Sequence, residues 1–337
     1  MFHQTEISII IPAYNAEKYL PRTLEALLAQ TFKNWEALVV DNNSQDSTGK
    51  IIKEYTKKDN RIKYLFEEQP GPATARNLGL KNAQGKYIMF CDSDDWYEPN
   101  MCEIMYNNIS QNDVDIICCN TRVLVEKNLK RIDTPLYYQN NFTGICQINN
   151  QLILKTNVVL WNKIFKKSII DKYNINFPNG HKLDDDCFYL KYMSVSSRIM
   201  FENKKLYNYI QRSDSIMGMY MQNLQQNLED VLYVTKDYVD FCNKYNLYDA
   251  RKIIIFSYLR FPNFKYAEGP LEDHLKHIFY ELFGDNKLFY KFAFPEYIVK
   301  SKIFSLERKL VYSKENICRR IVIKLFGKKI LSISFKV

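Results

Sequence analysis

Three carboxylates follow an apolar segment in the sequence Lys86-Tyr-Ile-Met-Phe-Cys-Asp-Ser-Asp-Asp-Trp96. The apolar part is typical of a strand that is buried on both faces of a parallel sheet. Asp92 and Asp94 therefore lie where a strand gives way to a loop, and α/β sheets bind their ligands at such carboxyl ends. Carboxylate oxygens suit Mg²⁺ or Mn²⁺, with substrate phosphates completing the coordination shell. The alternative is that Asp94 or Asp95 caps a helix that begins near Pro99.

Alternating strand and helix patterns occupy the first 120 residues and would position these carboxylates. Strand patterns cover 6–12, 35–41, 62–66, 86–92 and 114–119, and helix patterns cover 17–30, 46–55, 73–83 and 100–109. This order predicts an α/β fold with a mostly parallel central sheet and helices on both faces. A dinucleotide-binding fold is disfavoured because Pro12-Ala-Tyr-Asn15, and not a G-x-G-x-x-G motif, follows the first strand.

Length and composition predict more than one unit in a chain of 337 residues. We expect a nucleotide-binding and catalytic domain over 1–220, a helical extension over 221–300 and a basic tail over 301–337. The eight cysteines show no CxxC pair, which favours reduced core residues in a cytosolic protein. The sequence shows no secretion signal and no apolar run of about 18 residues, so we expect neither secretion by that route nor a membrane span.

Positive charge is concentrated at the end of the chain. Residues 300–337 contain eleven Lys or Arg and two Glu, a net charge of +9 that equals the net charge of the whole chain. Because apolar residues are interleaved with these bases, the tail is typical of an amphipathic segment that lies on an anionic membrane surface. The alternatives are a solvated terminal helix and a tail that docks on its own protein. No nucleic-acid-binding motif accompanies the charge, so a nucleic-acid partner is not expected.

Four segments, in the order in which they occur, resemble glycosyltransferase family 2, whose members are inverting enzymes of GT-A fold. The segments are Ile9-Ile-Ile-Pro-Ala-Tyr-Asn15, Leu38-Val-Val-Asp-Asn-Asn-Ser-Gln-Asp-Ser-Thr48, Gly71-Pro-Ala-Thr-Ala-Arg-Asn-Leu-Gly79 and Asp92-Ser-Asp-Asp-Trp96. The resemblance covers residues 5 to about 215. It implies transfer of a sugar from a nucleotide diphosphate donor to a hydroxyl group, as in bacterial surface-polysaccharide synthesis. Together with the basic tail, it predicts an acceptor that is a glycan or a lipid-linked oligosaccharide and an enzyme that works at the inner face of the cell membrane.

The resemblance assigns the nucleotide to the loops after the first two strands. The residues that it places there are Pro12, Ala13, Tyr14, Asn15 and Asp41. Tyr14 would pack on the base, and Asp41 would accept the hydrogen of uracil N3, which implies a UDP-sugar. Where the family usually has Asp-Asp-Gly-Ser, this chain has Asp41-Asn-Asn-Ser44. The alternative is that the two asparagines only make a turn.

The diphosphate needs positive charge, because negative charge builds on the leaving phosphate. The resemblance assigns this role to Arg76, whose planar fork suits phosphate oxygens, and to Mn²⁺ or Mg²⁺ held by Asp94. Asp92 would contact the ribose or the donor sugar, with Ser93 in the same donor site. Arg212 resembles part of a segment that closes over the pyrophosphate. The alternative for Arg76 is an ordinary surface position on a helix.

An inverting displacement requires a general base on the face of the sugar opposite the leaving group. The family places it in an acidic pair before an aromatic residue, which corresponds here to Asp184 and Asp185, followed by Phe188. We expect Asp185 to be the base, with Asp184 or Asp186 as the alternatives, because the three aspartates are contiguous. Mutual repulsion should raise the pKa of at least one of them. Enrichment of acids at a helix N-terminus is a further explanation that is compatible with this one.

The acceptor platform is assigned to Trp161, Asn162 and Lys163, because a flat aromatic ring can stack on the C–H surface of a sugar. The alternative is that Trp161 is a core residue. His181 could be a further metal ligand, although a single histidine is more often structural. Two other functions fit an acidic α/β site: a nucleotidyltransferase, which lacks support because no Gly-rich, Lys-bearing loop follows the first strand, and a non-catalytic protein that binds sugar nucleotides.

Overall fold

The computed structural model describes residues 5–126, 129–131, 142–212, 224–247 and three strands between 304 and 336. It divides into two units, Met1–Tyr258 and Leu259–Val337. The strands are β1 (Ile7–Ala13), β2 (Trp35–Asp41), β3 (Ile62–Phe66), β4 (Tyr87–Phe90), β5 (Trp96–Tyr97), β6 (Ile116–Val125), β7 (Lys130–Arg131), β8 (Gly144–Gln147), β9 (Lys163–Lys166), β10 (Arg198–Gln211), β11 (Phe304–Ser313), β12 (Asn316–Leu325) and β13 (Lys328–Lys336). The helices are α1 (Leu20–Leu28), α2 (Thr48–Lys58), α3 (Pro72–Asn82), α4 (Met101–Gln111), α5 (Asn150–Lys155), α6 (Lys167–Lys172), α7 (Asp184–Val195) and α8 (Leu224–Lys244).

A mixed sheet forms the centre of the first unit. Within the described residues its strand order is β3-β2-β1-β4-β9-β6-β10-β5, with β7 beside β6 and β8 beside β10. The block β3-β2-β1-β4 is parallel, as is the pair β6 and β10. The predicted α/β fold is confirmed, and its sheet is mixed: four strand pairings among the described residues are parallel and five are antiparallel. The antiparallel insertion of β9 between β4 and β6 was not foreseen, since a four-residue strand is too short to show a period.

The parallel strands form because their residues are apolar on both faces. Every residue of β2 is buried, and six of the seven residues of β1 are buried. α1 covers one face through Leu20, Leu24 and Leu27, and α4 adds Met101 and Met105 to the same core. Such two-sided burial leaves only the strand ends open to ligands.

α3 begins at a glycine whose conformation few other residues adopt. Gly71 has φ = 127°, and Pro72 follows in the first turn, where its missing N–H is not needed. The Thr74 hydroxyl donates to the carbonyl oxygens of Gln69 and Gly71 at 2.7 Å each. These contacts fix the start of the helix that carries Arg76.

α8 belongs to the first unit and packs beside α7. Lys191 Nζ lies 2.6 Å from Asp237 Oδ2, and the hydroxyls of Ser194 and Tyr238 are 2.7 Å apart. Of the predicted helical extension, 221–223 and 248–300 lie outside the described residues. The predicted basic tail corresponds to three strands, in which β12 pairs antiparallel with β11 and with β13. Its membrane-binding role stays a prediction.

Two other expectations concern cysteines and membrane spans. The seven cysteines between Cys91 and Cys242 are free thiols, and six of them are buried. None of the helices in the described ranges has both the length and the apolar character needed to cross a bilayer.

Candidate active site

The predicted donor residues meet at the carboxyl ends of the parallel strands. Ala13, the last residue of β1, is in register with Asp41, the last residue of β2. Ile10 is in register with Phe90, the last residue of β4, so Asp92 follows on the neighbouring strand. The Cys91 N–H donates to Ile10 O at 3.1 Å and extends this pairing to the edge of the site. The sequence-based expectation that these side chains share one sheet edge therefore holds.

Asp41 is held by the loop and the strand that flank it. Its Oδ1 accepts from the Ser44 N–H at 3.0 Å, and its Oδ2 accepts weakly from the Tyr64 hydroxyl at 3.4 Å. A Cβ atom on Gly49, in the first turn of α2, would lie 2.5 Å from Asp41 Oδ2. The glycine thus leaves room for the carboxylate. Tyr14, in contrast, is 61% exposed beside this edge.

The two asparagines that depart from the family pattern have clear structural reasons. Asn42 Nδ2 donates to the carbonyl oxygens of Glu67 and Gln69, and Asn42 Oδ1 accepts from the Gly71 N–H at 2.8 Å. A carboxylate at this position could not donate either bond. Asn43 has φ = 60°, in the left-handed region that glycine and asparagine tolerate best. The loop therefore has a defined geometry with these residues.

A second pair of contacts joins the first loop to the second. The Asn15 N–H donates to Ser44 Oγ at 3.1 Å, and Asn15 Oδ1 accepts from the Gln45 N–H at 2.8 Å. Asn15 itself has φ = 46°. Asn15, which with Tyr14 follows β1, is thus tied to the loop that follows Asp41, whereas Pro12 and Ala13 are the last two residues of β1 itself.

Arg76 joins the two acidic groups of the site. Its Nη1 lies 2.7 Å from Asp184 Oδ2 and 2.9 Å from Asp185 Oδ1, and its Nη2 lies 3.4 Å from Asp92 Oδ1. The guanidinium also stands 5.6 Å from the centre of the Phe177 ring. Burial alone would lower the pKa of Arg76, but the three carboxylates outweigh burial and raise it. Arg76 is therefore a buried cation and not a surface arginine.

The carboxylates after β4 bind protons more tightly than an exposed aspartate does. Burial, opposed by Arg76, raises the pKa of Asp92. Burial and the charge of Asp92 raise the pKa of Asp94 to about 6, although Arg212 opposes this shift. Arg212 Nη1 lies 2.9 Å from Asp94 Oδ2. The structure thus places Arg212 at the predicted metal-binding carboxylate.

The third aspartate of the loop is structural. Asp95 is fully buried, and its carboxylate accepts from the Tyr207 hydroxyl and from the Ile210 N–H at 2.7 Å each. The Tyr207 hydroxyl in turn accepts from the Asp92 N–H at 3.2 Å. The Thr23 hydroxyl donates to the carbonyl oxygens of Ser93 and Asp95. Sequence analysis could not identify Tyr207 as a support of this loop, because Tyr207 lies 115 residues away from Asp92.

The acidic triplet forms the first turn of α7. Leu183 precedes it with φ = 65°, and Asp184, Asp185 and Asp186 begin the helix. The Asp184 side chain is 11% exposed and accepts a hydrogen bond from Arg76, whereas the Asp185 side chain is 26% exposed. Asp185 Oδ1 lies near Arg76 Nη1 but has no hydrogen bond of good geometry. Asp185 is therefore the less engaged of the two carboxylates.

Burial and neighbouring charge also perturb this triplet. Burial raises the pKa of Asp185 well above its usual range; Arg76 opposes the rise, and the other three carboxylates of the site add to it. Burial and the charge of Asp184 raise the pKa of Asp186 to about 7. The expected repulsion within the triplet is thus present, although burial is the largest cause.

The donor set fits a divalent cation that completes its shell with substrate oxygens. No cluster of three or more His, Cys, Asp or Glu side chains arranged to hold a metal ion occurs among the residues that the structure describes. Asp92 and Asp94 supply hard oxygen atoms, and Mg²⁺ commonly takes only one or two protein carboxylates beside phosphates. These residues could therefore hold a metal together with a diphosphate.

The predicted acceptor residues do not reach the surface. Trp161 is 4% exposed and stacks on Tyr207 and Tyr209, with ring centroids 4.4 and 5.6 Å away. Asn162 and Lys163 are fully buried, and Lys163 Nζ donates to Asn157 Oδ1 at 2.7 Å. Rings and amines that are enclosed in this way have no surface for a sugar. The core alternative describes Trp161 in this structure.

His181 contacts residues that the sequence did not single out. Its Nδ1 lies 3.1 Å from Asp230 Oδ1, and its ring stacks on Tyr233 with centroids 3.7 Å apart. Both partners lie on α8, a segment in which no motif marked any residue. His181 is thus paired with a carboxylate and a tyrosine and does not lie among the carboxylates proposed for a metal.

Known proteins share this sequence pattern and this fold. The family model described as glycosyl transferase family 2 matches residues 8–174. The glycosyltransferase GlyG of Streptococcus pneumoniae serotype 4 is 32% identical over 225 residues, which are 63% of this chain and 72% of GlyG. The glycosyltransferase GlyA of the same organism is 30% identical over 240 residues, which are 69% of this chain but only 34% of GlyA. The chain therefore spans about a third of the length of GlyA.

Two solved structures are similar over most of their length. TarS 1–349 of S. aureus in complex with UDP-GlcNAc has a TM-score of 0.64 and 22% identity, covering 86% of this chain and 81% of TarS 1–349. The mannosyltransferase PcManGT of Pyrobaculum calidifontis, in complex with GDP-Man and Mn²⁺, has a TM-score of 0.55 and 13% identity, covering 88% and 87%. These similarities show the predicted GT-A fold. With its fold, its ordered motifs and its identity to GlyG, the chain belongs to glycosyl transferase family 2, a family of sugar-transferring enzymes.

Proposed function

We propose that the chain is an inverting glycosyltransferase that moves a sugar from a UDP-sugar to a hydroxyl of a glycan or lipid-linked oligosaccharide. The observation that carries this proposal is the position of Arg76, which contacts Asp92 after β4 and both Asp184 and Asp185 at the start of α7. Arg76 thereby brings Asp92, on the donor side of the site, close to Asp185, the candidate base. A displacement needs these two groups on opposite sides of one reacting carbon.

Asp185 is the best candidate for the general base. Its side chain is more exposed than that of Asp184, and Arg76 donates a hydrogen bond of good geometry to Asp184 but not to Asp185 Oδ1. Its raised pKa makes its ionised form a stronger proton acceptor than an exposed aspartate. Asp185 would take the proton of the acceptor hydroxyl as the oxygen attacks the anomeric carbon and the bond to the diphosphate breaks.

The nucleotide would bind at the ends of β1 and β2. Exposed Tyr14 can stack on a base, and Asp41 is positioned by Ser44 and Tyr64 to accept a hydrogen bond. The structures of TarS with UDP-GlcNAc and PcManGT with GDP-Man support a sugar nucleotide as the class of donor. The choice of uracil rests on Asp41.

A divalent cation would be held by Asp94, with Asp92 beside it. Bound there, Mn²⁺ or Mg²⁺ supplies Lewis-acid stabilisation of the leaving diphosphate. Arg212 now neutralises Asp94, so we expect its guanidinium to turn towards phosphate oxygens when the donor binds. Lowering the pH towards 6 would weaken metal binding, because it protonates Asp94.

The enzyme would work as a peripheral protein at the inner face of the cell membrane. The basic residues of 300–337 supply a charge of +9, and each base near an anionic surface contributes about 1 kcal/mol. The measurement is co-sedimentation of the intact chain, and of a chain that ends at residue 300, with vesicles of phosphatidylglycerol and phosphatidylcholine. Equal binding of both chains would contradict the membrane role of the tail.

Release of UDP from a panel of UDP-sugars with Mn²⁺ tests the reaction itself. Loss of a general base typically lowers the rate by about 10²- to 10⁴-fold, so Asp185→Asn should fall in this range. The control is Asp171→Asn, which removes an exposed carboxylate of α6 that pairs with Lys167, and it should keep the wild-type rate. NMR of the first product should show the inverted anomer.

Each other result has a defined meaning. Wild-type turnover in Asp185→Asn with loss in Asp186→Asn would move the base by one residue. Binding of UDP-sugar without turnover by the wild type would favour the non-catalytic alternative. Release of pyrophosphate from a nucleoside triphosphate, without release of UDP, would favour a nucleotidyltransferase.

A further inference from the structure

We propose that a neutral pyranose ring of the acceptor stacks on Tyr233 of α8, beside His181. This inference rests on the proposed function, because it names the place where the second substrate binds. The residues first expected to form an acceptor platform are buried in the core. The acceptor must therefore be held by other groups near the base, and the pair Tyr233 and His181 is available there.

Tyr233 offers an accessible aromatic surface that is fixed in place. Its side chain is 45% exposed, and the His181 ring lies against it with centroids 3.7 Å apart and an interplanar angle of 18°. Since the imidazole covers one face of the tyrosine, the exposed area belongs to the other face and the edges. Carbohydrate and small-molecule sites commonly combine such an aromatic surface with a few polar groups that fix orientation.

Asp230 holds the histidine of this pair. Its Oδ1 lies 3.1 Å from His181 Nδ1, which assigns the proton of a neutral imidazole to Nδ1. His181 Nε2 then presents a lone pair that can accept a hydrogen bond from a sugar hydroxyl. The acidic partner of His181 thus makes the ring an acceptor of hydrogen bonds.

The burial of Asp230 is also unusual for an aspartate between two packed helices. It is 4% exposed, and its second oxygen, Oδ2, is buried without a hydrogen-bond partner in the described part of the chain. Folded proteins contain few unsatisfied buried polar atoms, and those that persist call for an explanation. Helix packing does not explain a buried carboxylate with one unsatisfied oxygen, whereas a role in orienting His181 towards a ligand does.

The pair lies at the end of α7 that carries the candidate base. His181 precedes Asp185 by four residues, so their Cα atoms are at most about 14 Å apart. Contacts between the two helices advance together along both, from His181 with Asp230 to Ser194 with Tyr238, so α8 runs parallel to α7. The part of α8 between Asp230 and Val234 is therefore beside the acidic triplet, because His181 contacts Asp230 and Cys187 contacts Val234.

The local charge favours a neutral ligand over an anionic one. Asp230 and Asp186 place two carboxylates near this position, in addition to Asp184 and Asp185, which are paired with Arg76; the same loop contains one base, Lys182. A phosphate group would meet this negative charge, whereas a pyranose presents C–H groups to Tyr233 and hydroxyls to His181. The nucleotide base is also accounted for elsewhere, at Tyr14 and Asp41.

The test is saturation-transfer NMR of the intact chain with methyl β-glycopyranosides of glucose, galactose and N-acetylglucosamine. The wild type should transfer saturation to the C–H protons of one face of at least one of these rings. Tyr233→Ala should lower that signal at least fivefold, and Tyr233→Phe should keep it because the ring remains. Affinity for UDP with Mn²⁺, measured by calorimetry, should stay within twofold in Tyr233→Ala, which also shows that the variant is folded.

Tyr14→Ala is the matched control, since it removes an exposed aromatic ring on the nucleotide side. It should weaken UDP binding and leave the glycoside signals unchanged. Three results would overturn the inference: no signal from any glycoside with the wild type, unchanged signals in Tyr233→Ala, or equal loss of UDP and glycoside binding in that variant.

The outcome is separable from that of the proposed function. Tyr233-dependent glycoside binding by a chain that binds and cleaves no sugar nucleotide would retain the sugar site and reject the transferase reaction. Turnover of a UDP-sugar with glycoside signals that do not depend on Tyr233 would retain the reaction and reject this site.

Discussion

Replacement of Arg76 by glutamine should destabilise the protein strongly, and the loss should depend on pH. Arg76 is 8% exposed and has three carboxylates within 3.4 Å. Removing one partner of a buried ion pair costs about 3–5 kcal/mol, because the remaining charge stays buried. Since the side chains of Asp92 and Asp185 are 33% and 26% exposed, water compensates in part. We therefore expect the free energy of unfolding to fall by about 3 kcal/mol near pH 8.

Lowering the pH should reduce this loss in the free energy of unfolding. The pKa values of Asp92 and Asp185 are raised by burial even while Arg76 lowers them, so without Arg76 they rise further. A carboxyl group whose pKa is higher in the folded state binds more protons when folded, and its folded state gains stability as pH falls through that pKa. The deficit of Arg76→Gln should therefore be smaller near pH 5.5 than near pH 8.

The assay is urea unfolding of the intact chain at both pH values, followed by circular dichroism. Lys86→Gln is the control, because Lys86 forms an exposed pair with Glu6 at 2.9 Å, and such pairs contribute at most about 1 kcal/mol. A second variant that combines Arg76→Gln with Asp184→Asn should recover part of the loss. A deficit below about 1 kcal/mol, or the same deficit at both pH values, would refute the assignment of Arg76 as the counter-ion of this cluster.

Two further changes test the two sides of the site. Gly49→Ala should displace Asp41, because the new Cβ would lie 2.5 Å from Asp41 Oδ2. Calorimetry should then show at least a tenfold loss of UDP affinity. The control is Gly85→Ala, whose Cβ would lie 2.5 Å from Ser8 N at the other end of β1; it should lower stability and leave UDP affinity within twofold. Asp184→Asn removes the neighbouring charge that most raises the pKa of Asp185, so the acid limb of the transfer rate, which falls as Asp185 gains a proton, should move to lower pH. An unmoved limb would contradict the coupling of these two groups.

The donor side of the site could be predicted from sequence because its signals are local. Apolar strands that end in Asp41 and Asp92 reveal both the parallel sheet and the edge at which it binds ligands. Tyr14, Asp41 and Asp92 each lie at the end of a strand or within two positions after it, so no long-range contact has to be known. The sequence alone could not decide which aspartate is the general base, because Asp184, Asp185 and Asp186 are contiguous. They differ only in their exposure and in their contacts with Arg76, which the structure shows.

The proposed acceptor site could not be predicted from the sequence, because helix packing, and not the position of strand ends, brings its residues together. Trp161 was expected to bind a sugar from its residue type alone, and its burial follows from two tyrosines of β10, which lies more than 35 residues away. Tyr233 and Asp230 lie on a helix without any motif, and their position beside His181 depends on how α8 packs against α7. Residue type indicates what a side chain can bind, but only the tertiary contacts decide whether a ligand can reach it.

The loop that carries Asp92 depends on contacts with Tyr207 of β10 and, through it, with Trp161. The Tyr207 hydroxyl bridges the Asp92 N–H and the Asp95 carboxylate, and the Tyr207 ring stacks on Trp161. The buried indole therefore supports the carboxylates that face the donor, although it does not touch a sugar itself. Because an unmade hydrogen bond in such a place costs about 1–3 kcal/mol, loss of this support would loosen Asp92 and with it the ion pair to Arg76. Donor loop and base are thus held by one connected set of buried contacts, which is why a change in the core should affect both substrates.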